Sequence, residues 1–208
     1  NRRITKQIGF NFTHVNIKNI NNYGFASDRD FYPKEGQDNP IISVIGDSYV
    51  EALQVTNRAT FHGIIDEKLQ NFDVYALGVS GSPLSQYLAY AKYVKAEMVP
   101  DFYIFLIIEN DFDESFYEIK KEPGYHYFDK NGALERIDYN PSIIKKIARL
   151  SAFVRYLILD LKINSQLSRI LNLERISAVS IDNMVSDKKG MAAIDLFIKG
   201  ISEFTQSS

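Results

Sequence analysis

The chain has no cysteine and no tryptophan among its 208 residues. Without cysteine it forms no disulfide and offers no thiolate ligand to a metal, although this absence does not identify a cellular compartment. No apolar run reaches the roughly 18 residues that a membrane-spanning helix needs, so no membrane span is expected. The composition, 45% hydrophobic and 24% charged, is typical of a soluble globular protein. We therefore predict one domain, residues 1–208, with a sizeable core.

An excess of basic residues is also missing, since the formal net charge is −2 and the sequence pI is about 6.0. A nucleic-acid partner usually requires a basic domain or patch, so none is expected. Residues 1–18 are locally basic and are interpreted as a solvated face. The chain begins with Asn1, which favours an upstream signal peptide or anchor, although no targeting signal is present in the sequence itself.

Strand-like apolar runs alternate with helical patterns in the first half of the chain. The predicted strands are 41–45, 73–77 and 102–108, and the predicted helices between them are 60–70 and 83–98. This alternation predicts an α/β fold of three layers, with a parallel sheet between layers of helices. The run 102–108 is apolar throughout, which favours a strand that is buried on both faces.

Local patterns predict where the helices begin and which faces they bury. Thr60 and Ser82 are the expected N-caps, and Pro83 suits the first helical position after Ser82. The apolar residues expected to face the core from the helix 60–70 are Phe61, Ile64, Ile65 and Leu69. A last helix is predicted at 188–204, and its expected apolar face consists of Met191, Ile194, Phe197, Ile198 and Ile201.

The rest of the chain is divided by turn signals and changes of pattern. The predicted divisions are an irregular lead-in at 1–40 with at most one short strand, a core at 41–111, an insertion at 112–186 and the last helix within 187–208. The insertion is expected to contain a hairpin at 125–132 that turns at Asn131 and Gly132, followed by a helical region at 140–172. Residues 173–186 are poorly patterned.

Three polar loops directly follow the three predicted strands. They are 46–48 (Gly-Asp-Ser), 78–81 (Gly-Val-Ser-Gly) and 109–111 (Glu-Asn-Asp). Parallel strands bring such loops to one edge of the sheet, where open α/β sheets bind ligands. The Ser48 hydroxyl is expected at the amino end of a helix, a position that suits a nucleophile.

The same loops contain hydrogen-bond donors for a developing oxyanion. The Ser48 N–H, the Gly81 N–H and the Asn110 side-chain amide together suit the oxygen of a tetrahedral acyl-transfer intermediate. Gly81 leaves room for the substrate carbonyl because glycine has no side chain. Each loop alone is also common in ordinary turns and helix caps. Their order after three successive strands predicts acyl-transfer chemistry.

These stretches resemble the motif blocks of the SGNH hydrolases, also called the GDSL esterase/lipase family. Residues 44–49 are similar to the first block, 77–81 to the second and 108–111 to the third, and the resemblance covers about residues 41–113. Two positions depart from the family pattern. Glu109 stands where the family usually has glycine, and Tyr49 stands where it usually has a small or hydrophobic residue.

The resemblance implies a flavodoxin-like layout and a serine esterase that acts on an O-acyl ester without a metal or an organic cofactor. In this reading Ser48 is the nucleophile, and Gly81 and Asn110 are oxyanion donors. The residues expected to support these loops are Gly46, Asp47 and Asp111, with Asp47 ordering the turn rather than reacting. Members of the family are often exported and act on cell-envelope glycans or lipids, which implies an extracytoplasmic location.

The family also has a catalytic histidine near its C-terminus, with an aspartate three residues before it. The histidines of this chain are His14, His62 and His126, and the residues three positions before them are Asn11, Ala59 and Pro123. None of them fits the pattern. His62 is interpreted as a partly buried helix residue and His126 as a packing or surface residue, while His14 has no evident partner. The expectation is a further strand and an Asp-x-x-His block after Ser208, so that the chain shown is truncated.

Two other functions stay open at this point. An O-acetyltransferase acting on a cell-envelope glycan would use the same serine and differ in its acceptor. A non-catalytic carbohydrate-binding domain would keep the fold without the general base. The acyl chain, the alcohol and the oligomeric state are not determined by the sequence.

Two weaker patterns have structural interpretations. The acidic residues Glu109, Asp111, Asp113 and Glu114 lack the spacing of a Ca²⁺ loop and are interpreted as a solvated acidic loop. The aromatic residues Tyr117, Tyr125, Tyr127 and Phe128 could line a sugar or acyl site, but packing of the inserted hairpin is the favoured interpretation.

Overall fold

The computed structural model describes residues 2–8, 14–140 and 187–206. The chain divides into two compact units, residues 1–137 with 186–208, and residues 138–185. The second unit is described only at 138–140, so the prediction of a single domain stays a prediction. The helical region predicted at 140–172 and the poorly patterned segment 173–186 lie outside the described residues, apart from Asn140.

The first unit contains parallel strands joined by helices, as the alternating pattern predicts. The strands and helices in chain order are β1 Arg2–Ile8, β2 His14–Ile20, β3 Ile41–Gly46, α1 Ser48–Glu51, α2 Phe61–Lys68, β4 Asp73–Gly78, α3 Leu84–Glu97, β5 Phe102–Leu106, α4 Asn110–Asp113, β6 His126–Phe128, β7 Leu134–Arg136 and α5 Asp187–Gln206. β3, β4 and β5 form a parallel sheet in the order β4–β3–β5. The prediction of a mixed α/β fold with a parallel sheet is confirmed.

Both faces of the central strand are buried. Ile41 and Ile45 belong to a hydrophobic cluster that includes residues of α3 and α5. Ile42 and Val44, which point to the opposite face, belong to a second cluster with Val50 of α1 and partly buried residues of α2. Successive side chains of a strand point to opposite faces, so the continuous apolar run of β3 supplies both clusters.

The edge strand β5 differs from its prediction in length and burial. It ends at Leu106 rather than Ile108, and Phe102 is 54% exposed. β5 pairs with β3 on one side and has no other strand partner among the described residues. The apolar run was expected to be covered on both faces, but the first residue of β5 is exposed and the other four are only partly buried.

The helix α3 begins at Leu84, one residue later than the predicted start at Pro83. Its N-cap position is occupied by Pro83, and no side chain caps it. The prediction of Ser82 as a cap is therefore wrong. Thr60 is confirmed as the N-cap of α2, since its Oγ1 accepts a hydrogen bond from the Gly63 N–H at 3.0 Å.

The buried faces of α2 and α5 are rotated relative to their predictions. In α2, Phe61 and Ile65 pack on the core as expected, whereas Ile64 and Leu69, the residue after the helix, are exposed. In α5 the exposed residues include Met191 and Ile198, and the buried ones are Ala193, Phe197 and Gly200. Small side chains let α5 approach closely, since a Cβ at Gly200 would lie 2.5 Å from a methyl carbon of Leu88 in α3. Counting large apolar residues alone misses such a face.

The N-terminal segment contains a β-hairpin, so its prediction as an irregular lead-in is wrong. β1 and β2 pair antiparallel along seven residues each. The sequence of β2 alternates, but with reversed polarity: Asn16 and Lys18 are buried, whereas Val15 and Ile17 are more than half exposed. The interpretation of this basic segment as a solvated face is also wrong for Lys18.

The buried polar residues of β2 bind main-chain oxygens at the end of α1. The Asn16 amide donates to the carbonyls of Leu53 at 2.8 Å and Val55 at 2.7 Å. The Lys18 ammonium donates to the carbonyl of Glu51 at 2.9 Å. Carbonyls at a helix C-terminus lack intrahelical partners and attract cations. The polar residues of β2 therefore point inward because they bind the segment that follows Ser48.

The second hairpin agrees with its prediction. β6 pairs antiparallel with β7, and the connecting turn includes Asn131 and Gly132. Gly132 has a φ of +78°, which glycine adopts without strain. The Asp129 carboxylate accepts hydrogen bonds from the N–H groups of Asn131 and Ala133, at 2.8 and 2.7 Å, and closes the turn.

Candidate active site

The three loops named by the sequence follow neighbouring strands at one edge of the sheet. Gly46 at the end of β3 pairs with Gly78 of β4 on one side and with Leu106 of β5 on the other. Ser48 follows the central strand by two residues, and the loops of Gly81 and Asn110 follow the two flanking strands. The structure therefore places Ser48 between the other two loops in the order of the strands.

The Ser48 turn is ordered by Asp47. This residue is the N-cap of α1, and its Oδ1 accepts a hydrogen bond from the Tyr49 N–H at 2.9 Å. Its main-chain oxygen accepts from the N–H groups of Val50 and Glu51. The Ser48 hydroxyl donates to Asp47 Oδ2 at 3.2 Å. Asp47 is almost fully buried, which fits a structural role in the turn.

Close packing brings α1 against the end of β4. A Cβ at Gly78 would lie 2.1 Å from the Glu51 nitrogen, and a Cβ at Gly46 would lie 2.4 Å from a methyl carbon of Val50. Real Cβ atoms do not approach other heavy atoms so closely. The two glycines therefore allow the short helix that begins at Ser48 to lie directly against the strands.

Three hydrogen-bond donors in these loops are unoccupied. Among the described residues, the Ser48 N–H, the Gly81 N–H and the Asn110 side-chain amide donate no hydrogen bond. Asn110 is exposed, and Gly81 is half-buried. Unpaired donors are one requirement of an oxyanion hole.

The Gly81 loop is held in place by residues from two other parts of the chain. The Ser80 N–H donates to the Glu51 carboxylate at 3.0 Å, and the Ser80 hydroxyl donates to the same oxygen. From the other side, the Tyr125 hydroxyl donates to the Ser80 carbonyl at 2.8 Å. The Lys120 ammonium donates to the Gly81 carbonyl at 2.9 Å.

Asp111 supports the Asn110 turn from below. Its side chain is fully buried, and Oδ2 accepts hydrogen bonds from the Tyr87 hydroxyl at 2.8 Å and from the Ile108 N–H at 2.9 Å. The interpretation of the acidic cluster as a solvated loop is therefore wrong for Asp111, whose buried carboxylate is hydrogen-bonded to Tyr87 of α3. Among the described residues, no group of His, Asp or Glu side chains is arranged to hold a metal ion.

Neither of the two histidines whose side chains are described forms a hydrogen bond with Ser48. His62 is buried, with Nε2 at 3.0 Å from the Val50 carbonyl and Nδ1 at 3.2 Å from the Thr60 hydroxyl. A carbonyl oxygen only accepts, so Nε2 carries the proton. His126 bonds through Nδ1 to the Gln86 side chain at 3.0 Å. Both rings have packing roles, as expected, although His62 is more deeply buried than predicted.

The aromatic residues of the insertion fall into two groups. Tyr127 and Phe128 are buried, and the Tyr127 hydroxyl accepts a hydrogen bond from the Glu122 N–H at 3.0 Å. Tyr117 is exposed, and Tyr125 bonds to the loop of Gly81. The prediction that these aromatic residues pack in the hairpin is therefore correct for Tyr127 and Phe128, whereas Tyr125 binds the loop of Gly81.

Asp111 and His62 give the protein opposite dependences of stability on pH. Burial raises the pKa of Asp111 to about 6, helped by repulsion from Asp47 and Glu114. The native state then binds more protons than the unfolded state between about pH 4 and 6, so this group lowers stability as pH rises. Burial lowers the pKa of His62 to about 4, so this group raises stability as pH rises towards 6.5.

We expect Asp111→Asn to remove one of these two opposing effects. The free energy of unfolding should then rise more steeply from pH 4.5 to pH 7 than in the wild type, by on the order of 2 kcal/mol. Urea unfolding at both pH values measures this difference. Glu67→Gln, which neutralises an exposed carboxylate on α2, is the control. The same rise in the wild type and Asp111→Asn would contradict the assignment.

Several residues around the site were missed by sequence reasoning. They are Lys18, Glu51 and Lys120; Tyr125 was considered for a sugar or acyl site, but packing was the favoured interpretation. The reversed alternation of residues 15–18 was a detectable signal for Lys18. Glu51 lies three residues after Ser48, hence on the same side of a helix. Nothing local connects Lys120 and Tyr125 to a loop that lies about 40 residues earlier.

No protein-family model, curated protein or solved structure gives a significant match to this chain. Among the described residues, no helix is both long enough and apolar enough to span a membrane.

Proposed function

We propose that this protein is a serine esterase of the SGNH type that acts on an O-acyl ester. The observation that carries the proposal is the position of Ser48 after the central strand, with a loop containing an unoccupied donor after each flanking strand. The strand order β4–β3–β5 is also the beginning of the flavodoxin-like order, in which ligands bind at this edge.

In the proposed reaction the Ser48 oxygen attacks the ester carbonyl carbon. The carbonyl oxygen becomes an oxyanion that accepts hydrogen bonds from the Ser48 N–H, the Gly81 N–H and the Asn110 amide. A general base takes the hydroxyl proton and delivers it to the leaving alcohol as the carbon–oxygen bond breaks. Water then attacks the acyl-serine and releases the carboxylic acid. Asp47 keeps the turn in place while the Ser48 hydroxyl exchanges its present acceptor for the base.

The general base is the part of this mechanism that the described residues do not supply. His62 and His126 are already bonded elsewhere. The resemblance implies a histidine with an aspartate three residues before it, and none of His14, His62 and His126 has such an aspartate. The resemblance also implies an extracytoplasmic site of action, and this location is part of the proposal.

Labelling with a fluorophosphonate tests the nucleophile directly. The longest natural form that contains residues 1–208 is incubated with the reagent, and the modified peptide is identified by mass spectrometry. We expect one adduct on the peptide that contains Ser48 and none in Ser48→Ala. Heat-denatured protein controls for nonspecific reaction. Absence of an adduct on Ser48 would overturn the esterase proposal and favour a binding domain of the same fold.

A further inference from the structure

We infer that Tyr125 and Glu51 are positioning residues that keep the Gly81 N–H aimed at the oxyanion. The inference rests on the proposed function. Its structural basis is a four-residue turn in which the Ser80–Gly81 peptide has two possible orientations. Tyr125 stabilises one of them, and Glu51 holds Ser80 in place.

The loop after β4 is a β-turn closed by a hydrogen bond. The Ser82 N–H donates to the Val79 carbonyl at 3.1 Å, so Ser80 and Gly81 are the central residues. Gly81 has a φ of +82°, the value that a type II turn requires at this position. Glycine also tolerates the negative φ of a type I turn, and the two types differ by a flip of the central peptide. The turn sequence alone therefore does not determine which way the Gly81 N–H points.

Tyr125 selects one orientation of this peptide. Its hydroxyl donates to the Ser80 carbonyl at 2.8 Å. In a trans peptide the C=O and the following N–H point in opposite directions. Holding the Ser80 oxygen towards Tyr125 therefore turns the Gly81 N–H away from Tyr125. A flipped peptide would lose this hydrogen bond.

Glu51 fixes the preceding residue of the same turn. Its carboxylate accepts from both the N–H and the hydroxyl of Ser80. Glu51 is itself held firmly, since its N–H donates to the Asp47 carbonyl at 3.0 Å and its carbonyl accepts from the buried Lys18. Because Glu51 ends the helix that begins at Ser48, its side chain links the nucleophile to the turn.

Tyr125→Phe removes only the hydroxyl that orients the peptide. For p-nitrophenyl acetate we expect about a tenfold fall in kcat with KM nearly unchanged, because the Gly81 donor acts mainly on the transition state. Tyr127→Phe is the matched control, since it also removes one hydrogen-bonded tyrosine hydroxyl, two residues further along the chain, but that hydroxyl binds Glu122 rather than the turn. It should leave kcat within about twofold of the wild type.

Glu51 is tested by a graded pair of variants. Glu51→Gln keeps one oxygen acceptor for Ser80, so its kcat should fall less than that of Glu51→Ala. A KM change without a kcat change in these variants or in Tyr125→Phe would overturn the positioning role. So would a tenfold fall in kcat for the Tyr127→Phe control.

The Gly81 amide gives a readout that does not depend on activity. In nuclear magnetic resonance spectra we expect the Gly81 N–H signal to broaden or double in Tyr125→Phe and to stay single in Tyr127→Phe. A single, unshifted signal in both variants would overturn the inference even if the protein is an esterase. Two signals in a protein that neither turns over esters nor reacts at Ser48 would support the turn assignment while the proposed function fails.

Discussion

Replacing Asn110 with alanine is expected to reduce kcat for ester turnover by about 10²–10³-fold, the range observed when one oxyanion donor is removed. The side-chain amide is exposed, follows β5, and makes no hydrogen bond among the described residues, so the substrate oxygen is its expected acceptor. KM should change much less, since the donor acts mainly on the charge that develops in the transition state. Steady-state kinetics with p-nitrophenyl acetate measure both constants.

Asn110→Asp is the informative companion to this variant. It has nearly the same shape but replaces the NH₂ donor with a negatively charged acceptor, so its kcat should be as low as that of Asn110→Ala or lower. Because the side chain is exposed, the free energy of unfolding should stay within about 0.5 kcal/mol of the wild type in both variants. Wild-type kcat in Asn110→Asp would show that the amide is not an oxyanion donor.

Gly78→Ala is expected to lower the free energy of unfolding by about 3 kcal/mol, the upper part of the range for overpacking. Its Cβ would lie 2.1 Å from the Glu51 nitrogen and 2.5 Å from the Val50 carbonyl carbon. These are main-chain atoms, so the overlap is relieved only by moving α1 away from β4. Urea unfolding measures the loss. The displacement of α1 would also move Ser48.

Gly190→Ala provides the matched control for Gly78→Ala. Gly190 lies within α5, and a Cβ there would be 4.0 Å from the Cβ of Phe112, an ordinary contact. Alanine is the better helix former by up to about 1 kcal/mol, so this variant should be neutral or slightly stabilised. Equal losses of stability in the two variants would mean that close approach at Gly78 does not limit the packing of α1.

The sequence predicted the parts of the fold that depend on short-range patterns. The apolar runs that became β3 and β4 end at Gly46 and Gly78, and Thr60 caps α2 as its side chain suggests. The candidate loops were found because each directly follows a strand. These signals lie within a few residues of the features that they predict.

The parts that were missed depend on contacts between distant segments. The inward orientation of Lys18 is explained by a carbonyl 33 residues later in the chain. Tyr125 acts on a carbonyl 45 residues earlier. The buried face of α5 includes Gly200 because of its close approach to α3. The partners in each of these contacts lie too far apart in the sequence for a local pattern to include both.

The hairpin at the start of the chain has a practical consequence for shortening the protein. A deletion of the first 40 residues, designed as though they were irregular, would remove Asn16 and Lys18. Three main-chain oxygens, that of Glu51 at the end of α1 and those of Leu53 and Val55 after it, would then lose their side-chain donors. Asn16 and Lys18, about 30 residues before Ser48, therefore support the segment that contains it. A shortened form of the protein should keep both strands of the hairpin and begin before β1.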